Sequence, residues 1–322
     1  MNSFLGTPIF QSESSVSSHD HIVSYGWSGL DYNQVKSSIE SDKLVLIRSI
    51  QHEQASQLFS ELVNHYGLKE SYDLQMQLVV HMMEGRSSIN DIAVTVNERE
   101  PFQIIQPHSE GDSSSQLDLF SLYCSQNALH GGENVLSLIN QSADHSNLRA
   151  KEKVIVGEDL TDFEVNELRS HHLDTKRADK SILEKDRMLM ETSRGSIVVR
   201  TVPLEPARSA INGEELVTYW DNVTVHDIAF HRYQFELLNH LAILNNGGEN
   251  NYESYMHLEN DSDWVPADTN SGTLEQTSAL FVCHIVHKMQ PGDFLLFNNR
   301  SWTHSVNNWP PCETRKLSAM YA

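Results

Sequence analysis

Apolar residues in this chain fall mostly in short runs broken by Gly, Asn, Asp and Pro, a pattern of strands more than of long helices. Leu44-Val45-Leu46-Ile47 is the first such run. "FQIIQPHSE" reads as a strand running into a loop, "LDLFSLYCSQ" as a second strand, and "GGENVLSLIN" as a third, entered through a glycine turn. "SIVVRTVPL" resumes the pattern in mid-chain, and "ALFVCHIVH", "DFLLFNN", "HSVNN" and "RKLSAMY" close it. Helical spacing is confined to three places. "YNQVKSSIESD" precedes the first strand. Residues 52–66 carry Ala55, Leu58, Phe59, Leu62, Val63 and Tyr66 on one side, with Gly67 as the stop. "VHDIAFHRYQFELLNHLAIL" puts Ile228, Phe235, Leu238, Leu241 and Ala242 on one side.

Three stretches depart from this pattern. Residues 1–25 are polar and Ser-rich and are expected to form a loose arm. Residues 143–192 are dense in charge and poor in apolar side chains, which predicts surface helices and loops, an insertion and possible lid. Residues 246–272 read as a long polar loop, a second candidate lid. Strands at both ends with helices between predict a mainly β, α+β chain. The expected fold is a double-stranded β-helix, a jelly roll with flanking helices, in a single domain over 1–322.

Charge narrows the partners. Forty-four acidic against 23 basic residues give a formal net charge of −21, and no basic run offsets it. Nucleic acid and anionic membrane surfaces are disfavoured. No run approaches the roughly 18 apolar residues that span a bilayer, and the N-terminal segment lacks the pattern of a signal peptide. Cys124, Cys283 and Cys312 are odd in number and lack metal-site spacing, which predicts a reducing, cytoplasmic setting without disulfides.

Chemistry enters at His108-Ser109-Glu110, with His304 in "NNRSWTHSVNN" and Arg315 eleven residues beyond it. Positions i and i+2 of an extended segment point to one side, so His108 and Glu110 can face one metal. The expectation is that a later strand from the other sheet brings His304 across. Two imidazoles and a carboxylate on one face of an ion suit a non-heme Fe(II) site with open positions. Two other His-x-Asp/Glu triplets compete. His172-Leu173-Asp174 lies in the charged insertion, where helix geometry would separate the side chains. His257-Leu258-Glu259 lies too near His304 to leave room for a barrel wall. The bland alternative is that His108 and His304 are ordinary polar residues. Alternation puts Arg315, Leu317, Ala319 and Tyr321 on one face and Lys316 and Ser318 on the other. An inward Arg needs a partner, either a bound carboxylate or an internal Asp or Glu.

These blocks resemble the taurine dioxygenase/clavaminate synthase-like superfamily. "MQPGDFLLFNNRSWTHSVNNWPPCETRKLSAMYA" is similar to its closing block, and Pro107 through "HSEGD" to "GGENVLSLI" to its proximal block. "SDKLVLIRSI" and "SIVVRTVPL" resemble two further strands. The resemblance implies Fe(II) on His108, Glu110 and His304, O2 as oxidant, and 2-oxoglutarate held at its far carboxylate by Arg315. It places Asn134 where relatives put a Thr or Ser to help hold that carboxylate. Glu110 keeps the position that halogenating relatives leave open. Ala319 stands where sulfonate-binding relatives carry a second Arg, which argues against taurine.

The function expected is hydroxylation of an unactivated C–H of an amino acid or small amino-acid-derived metabolite, in secondary metabolism. Gln106, Ser109 and Asp112 are candidates for substrate contacts, with ordinary turn or surface roles as the alternative. Two other readings stay open: a hydroxylase or desaturase acting on a substrate tethered to a carrier protein, and a non-catalytic jelly-roll binding protein with a vestigial metal site.

Overall fold

The structure is a computed structural model. It describes residues 7–11, 21–69, 88–89, 93–96, 105–111, 117–145, 151–155, 187–191, 197–201, 206–220, 224, 230, 233–234, 237, 264–266, 274–307, 309 and 312–322. In chain order the elements are β1 (Thr7–Gln11), β2 (Ile22–Gly26), α1 (Tyr32–Glu40), β3 (Leu44–Arg48), α2 (His52–Tyr66), β4 (Val94–Thr95), β5 (Leu119–Gln126), β6 (Asn134–Ile139), β7 (Lys151–Ile155), β8 (Arg187–Glu191), β9 (Ile197–Thr201), β10 (Ala207–Arg208), β11 (Glu215–Leu216), β12 (Trp264–Pro266), α3 (Leu274–Ala279), β13 (Phe281–His287), β14 (Phe294–Asn298), β15 (Trp302–Val306) and β16 (Lys316–Tyr321).

Two sheets make the body that carries the site. The larger has strand order β2-β3-β14-β5-β16-β4 and the smaller β1-β13-β6-β15. Every pairing in them is antiparallel except β2 with β3. Strand alternation sorts the side chains. Leu44, Leu46, Phe120, Leu122, Leu295, Phe297, Leu317 and Ala319 from the large sheet meet Leu136, Cys283, Ile285 and Trp302 from the small one. The opposite face of the large sheet (Val45, Ile47, Phe294, Leu296, Met320) takes the buried stripe of α1 and α2: Val35, Ile39, Ala55, Leu58, Phe59 and Leu62. The opposite face of the small sheet (Val135, Ile139, Val286) packs on Tyr219, Phe230, Tyr233 and Leu237.

Helix α2 spans the predicted residues, and Gly67 ends it in the left-handed region at φ 70°. A capping box between Gln51 and Gln54 fixes its start. Leu317, Ala319 and Tyr321 face inward as the alternation requires. In the third helical segment Thr224, Phe230, Tyr233, Gln234 and Leu237 are helical and buried. The face predicted from Ile228, Phe235, Leu238, Leu241 and Ala242 lies outside the described residues.

Three expectations need revision. The N-terminal arm supplies two strands: β1 pairs with β13 and β2 with β3. The 143–192 stretch contains β7 and β8, which join β9 and β12 in a four-stranded sheet of order β12-β7-β9-β8. The long loop contributes β12 to that sheet. In each case a short apolar core such as "VIV", "MLM" or "WVP" is surrounded by polar residues, and ladder bonds to a neighbour settle its conformation where periodicity cannot. The remainder of 156–186 and 246–272 lies outside the described residues.

Candidate metal centre

His108 and His304 are direct neighbours in one antiparallel pairing. His304 N–H donates to the His108 carbonyl at 2.8 Å, and His108 N–H to the His304 carbonyl at 3.2 Å. Residues opposed in this way carry their side chains on one face, and the two ring centroids stand 4.4 Å apart. Glu110 returns to the same face two residues on, with its Oε1 3.6 Å from His304 Nε2. One ligand atom from each of the three lies within 4.8 Å of the others. His304 therefore does not cross from the other sheet as expected. It sits on β15, at the edge of the small sheet, and the 105–111 segment adds itself to that edge.

The surroundings fix the side chains. His108 Nδ1 lies 2.9 Å from the Gln106 carbonyl. A proton on Nδ1 donates there and leaves the Nε2 lone pair free for a cation. The Phe120 ring stacks on His304 at 4.4 Å between centroids and 20° between planes. Asn299 holds the Glu110 turn from both sides. Its Oδ1 accepts from Glu110 N–H at 3.1 Å, and its Nδ2 donates to the carbonyls of Glu110 and Leu117 at 3.0 and 2.8 Å. Two carboxylates hold the turn that launches β15. Asp42 accepts from Ser301 Oγ at 2.6 Å and Asn298 Nδ2 at 3.0 Å, and its carbonyl accepts from Trp302 Nε1 at 2.9 Å. Asp118 accepts from Arg300 Nε at 2.8 Å with both side chains buried. Burial pushes the Asp42 carboxyl above its ordinary range, and the bonds from Ser301 and Asn298 act against that. Removing one member of a buried pair such as Asp118–Arg300 typically costs about 3–5 kcal/mol.

A cavity open to solvent links this cluster to a cationic end. Phe120, Leu122, Val96 and Ala319 form apolar wall, and Arg315 and Asn134 form the far end. Arg315 precedes β16. The register between β16 and β5 shifts between Lys316 and Leu317, whose partners are Gln126 and Cys124, so β16 keeps its own alternation and Arg315 still reaches the cavity. Its guanidinium donates to Asn134 Oδ1 at 2.7 Å and to the Gly132 carbonyl at 3.4 Å. Among the described residues no carboxylate lies within ion-pair distance of it. Burial pushes the Arg315 guanidinium down to about 10, with Cys124 and Glu133 acting the other way, and it stays cationic at neutral pH. Asn134 is 1% exposed, and its Nδ2 has no hydrogen-bond partner among the described residues. Such a buried donor is costly unless something accepts from it. Gly132 has φ +71°, and a Cβ there would lie 2.6 Å from Asn127 Oδ1 and 3.3 Å from Arg315 Cδ. The turn must be glycine for the arginine to pass.

The other candidates divide. Ser109 does not face the cavity. Its Oγ donates to the Trp302 carbonyl at 3.2 Å and its backbone N–H to Tyr219 at 2.7 Å, because alternation turns it away from His108 and Glu110. Gln106 is buried and its Nε2 donates to Thr224 Oγ1 at 3.4 Å, a packing role at the base of the segment. Asp112 lies outside the described residues, as do His172, Asp174, His257 and Glu259. Sequence spacing gives Asn299, Phe120 and Trp309 no role at the site. Only the Asn-Asn pair before "RSWTH" hinted at a side chain needed to hold a turn. Cys124 and Cys283 are free and buried, as expected, and burial pushes both thiols up to about 12; Cys312 is exposed.

No protein-family model and no curated protein matches the chain. Solved structures do align with it. A taurine dioxygenase from Burkholderia xenovorans is 12% identical, covering 91% of this chain and 80% of its own, with a TM-score of 0.40. The PvcB protein from Pseudomonas aeruginosa is 10% identical over 93% and 84%, with a TM-score of 0.41. An asparagine oxygenase solved with Fe(II), 2S,3S-3-hydroxyasparagine and succinate is 11% identical over 91% and 77%, with a TM-score of 0.42. These likenesses are loose, and the weight of the functional reading falls on the geometry. Among the described residues, no helix is long and apolar enough to cross a membrane.

Proposed function

We propose that this chain is an Fe(II)- and 2-oxoglutarate-dependent oxygenase of the taurine dioxygenase/clavaminate synthase-like kind, built on a double-stranded β-helix, which hydroxylates an amino acid or small amino-acid-derived metabolite. One observation carries the reading. Two imidazoles and one carboxylate converge at one end of a cavity whose other end presents a half-buried guanidinium and a buried amide donor that finds no acceptor among the described residues. The donor set is that of a non-heme iron site with open positions. Iron(II) with the oxo acid bound would activate O2 and supply the oxidation. His108, Glu110 and His304 would hold the ion. The Gln106 carbonyl keeps His108 in the tautomer that exposes Nε2. Asn299 keeps the Glu110 turn in place. Arg315 and Asn134 Nδ2 would receive the remote carboxylate, a charge-assisted contact that sets the acid's orientation. Phe120, Leu122, Val96 and Ala319 give the cavity an apolar wall.

Ala319 lines the cavity two strand positions from Leu317 and supplies no second cation there, which supports a substrate other than a sulfonate. No observation favours a carrier-tethered substrate over a free one. The test is succinate release from 2-oxoglutarate across a panel of free amino acids with Fe(II) under air. Substrate-stimulated release that vanishes in His108→Ala and His304→Ala is expected. Wild-type release in either variant would overturn the assignment.

A further inference from the structure

The cationic end of the cavity has a cover. Trp309 lines the cavity, and its ring lies over the Arg315 guanidinium with Cζ 5.2 Å from the centroid. Arg315 is thus held on three sides: Asn134 Oδ1 takes one N–H at 2.7 Å, the Gly132 carbonyl takes Nε–H at 3.4 Å, and the indole takes one face of the fork. The remaining N–H groups have no carboxylate among the described residues to point at. The Asn134 Nδ2 beside them is buried and has no acceptor among the described residues. A guanidinium pressed on an aromatic face gives up little hydrogen-bonding capacity, because its donors lie in its own plane. The contact therefore leaves the fork's remaining donors free for an anion.

We infer that Trp309 is a positioning residue for the oxo-acid co-substrate. It orients Arg315 and forms one wall of the carboxylate subsite that Arg315 and Asn134 make. The inference rests on the oxygenase reading for the identity of the anion. Trp309 is half-buried and lines the cavity, although its place beside a proline pair in the sequence suggests a surface residue. Its ring lies where an arriving carboxylate changes its environment, so it should also report binding.

The test is titration of anaerobic, Fe(II)-loaded full-length protein with 2-oxoglutarate, read by tryptophan fluorescence and independently by equilibrium dialysis. Wild type should show a saturable fluorescence change. Trp309→Phe should lose most of that change while its dialysis Kd stays within about three-fold, since a ring remains. Trp309→Ala should bind roughly three- to thirty-fold more weakly, the range expected for losing a cation–π contact. Iron affinity should be unchanged, and the turnover defect should fall on KM for 2-oxoglutarate and not on kcat. A wild-type Kd in Trp309→Ala, or a full fluorescence change in Trp309→Phe, would overturn the inference and leave the oxygenase reading standing. Failure of wild type to bind 2-oxoglutarate at all would overturn both.

Discussion

Two histidines on the small sheet show how one residue type is put to two uses. His304 on β15 and His284 on β13 flank the same strand, β6, opposite Leu136 and Ser137 respectively. One step along β6 separates those partners, and one step reverses the face. His304 turns inward to the space between the sheets, where its Nε2 stands 3.6 Å from a Glu110 oxygen. His284 turns outward into the third layer at 1% exposure. There both its nitrogens are engaged, Nδ1 with Ser137 Oγ and Nε2 with Tyr233 OH, each at 2.6 Å. The ring stays neutral, with burial pushing it down to about 3. The difference between the proposed ligand and the packing residue lies in what each imidazole already touches. His304 faces a carboxylate across an open cavity, whereas His284 is saturated by two hydroxyls.

The sharpest way to break this contrast is to remove each ring in turn. His108→Ala, Glu110→Ala and His304→Ala should each abolish Fe(II) binding and turnover, because three protein ligands leave none to spare, while the fold persists. Iron content after reconstitution and denaturation midpoints decide it. His284→Ala should do the reverse. It leaves Ser137 Oγ buried without its imidazole partner, at about 1–3 kcal/mol, takes one bond from Tyr233 OH, which keeps Ser278, and opens a cavity where the ring stood. A loss of roughly 2–5 kcal/mol in urea unfolding is expected, with iron stoichiometry intact in the folded fraction. Iron loss in His284→Ala and not in His304→Ala would reverse the assignment.

Much of this is legible in the sequence. The strands at Leu44–Arg48, Leu119–Gln126, Asn134–Ile139 and Ile197–Thr201 and the four that close the chain, helix 52–66 with its glycine stop, and the inward face of Leu317, Ala319 and Tyr321 follow from period-2 and period-3.6 spacing. The cluster of His108, Glu110 and His304 could be chosen by parity and by elimination. Which strand brings His304 to its partner could not, because periodicity says which face a residue takes and nothing of its neighbour in the sheet. Ser109 could not be placed without that neighbour, since its turn toward the Trp302 carbonyl is a contact across 193 residues of chain. The strands at 7–11, 151–155 and 264–266 were hidden for a related reason: their pairing partners are distant in sequence.

The cationic end of the cavity gives a second pair to separate. Arg315 and Lys316 are adjacent and alike in charge, but one reaches the cavity and the other is exposed. A hydrogen bond to a charged group is worth about 1.5–3 kcal/mol. Arg315→Ala should therefore weaken 2-oxoglutarate binding by roughly ten- to a hundred-fold with Fe(II) retained, and Lys316→Ala should change it little. Anaerobic binding isotherms for the two variants test this, and a larger loss in Lys316→Ala would place the anchor on the wrong residue.

The smallest expected effect bears on His284 alone and turns on its protonation. In the unfolded chain its imidazole titrates near 6.5, and in the folded protein burial holds it down to about 3. A depressed folded value means that the unfolded chain binds the proton first. The stabilisation is complete above about 6.5 and is lost as pH falls toward 3. Over that window the single group contributes a slope of up to about 1.4 kcal/mol per pH unit. His52 and His145, also lowered by burial, add slopes of the same sign. They are present in any His284 variant, so they cancel in a comparison. His284→Gln keeps a polar side chain beside Tyr233 and Ser137 without a titrating group. Urea midpoints at pH 7, 6 and 5 should fall more steeply in wild type than in His284→Gln. Parallel curves for the two proteins would mean that His284 takes up its proton without unfolding the layer around it, and that the contrast with His304 is one of position alone.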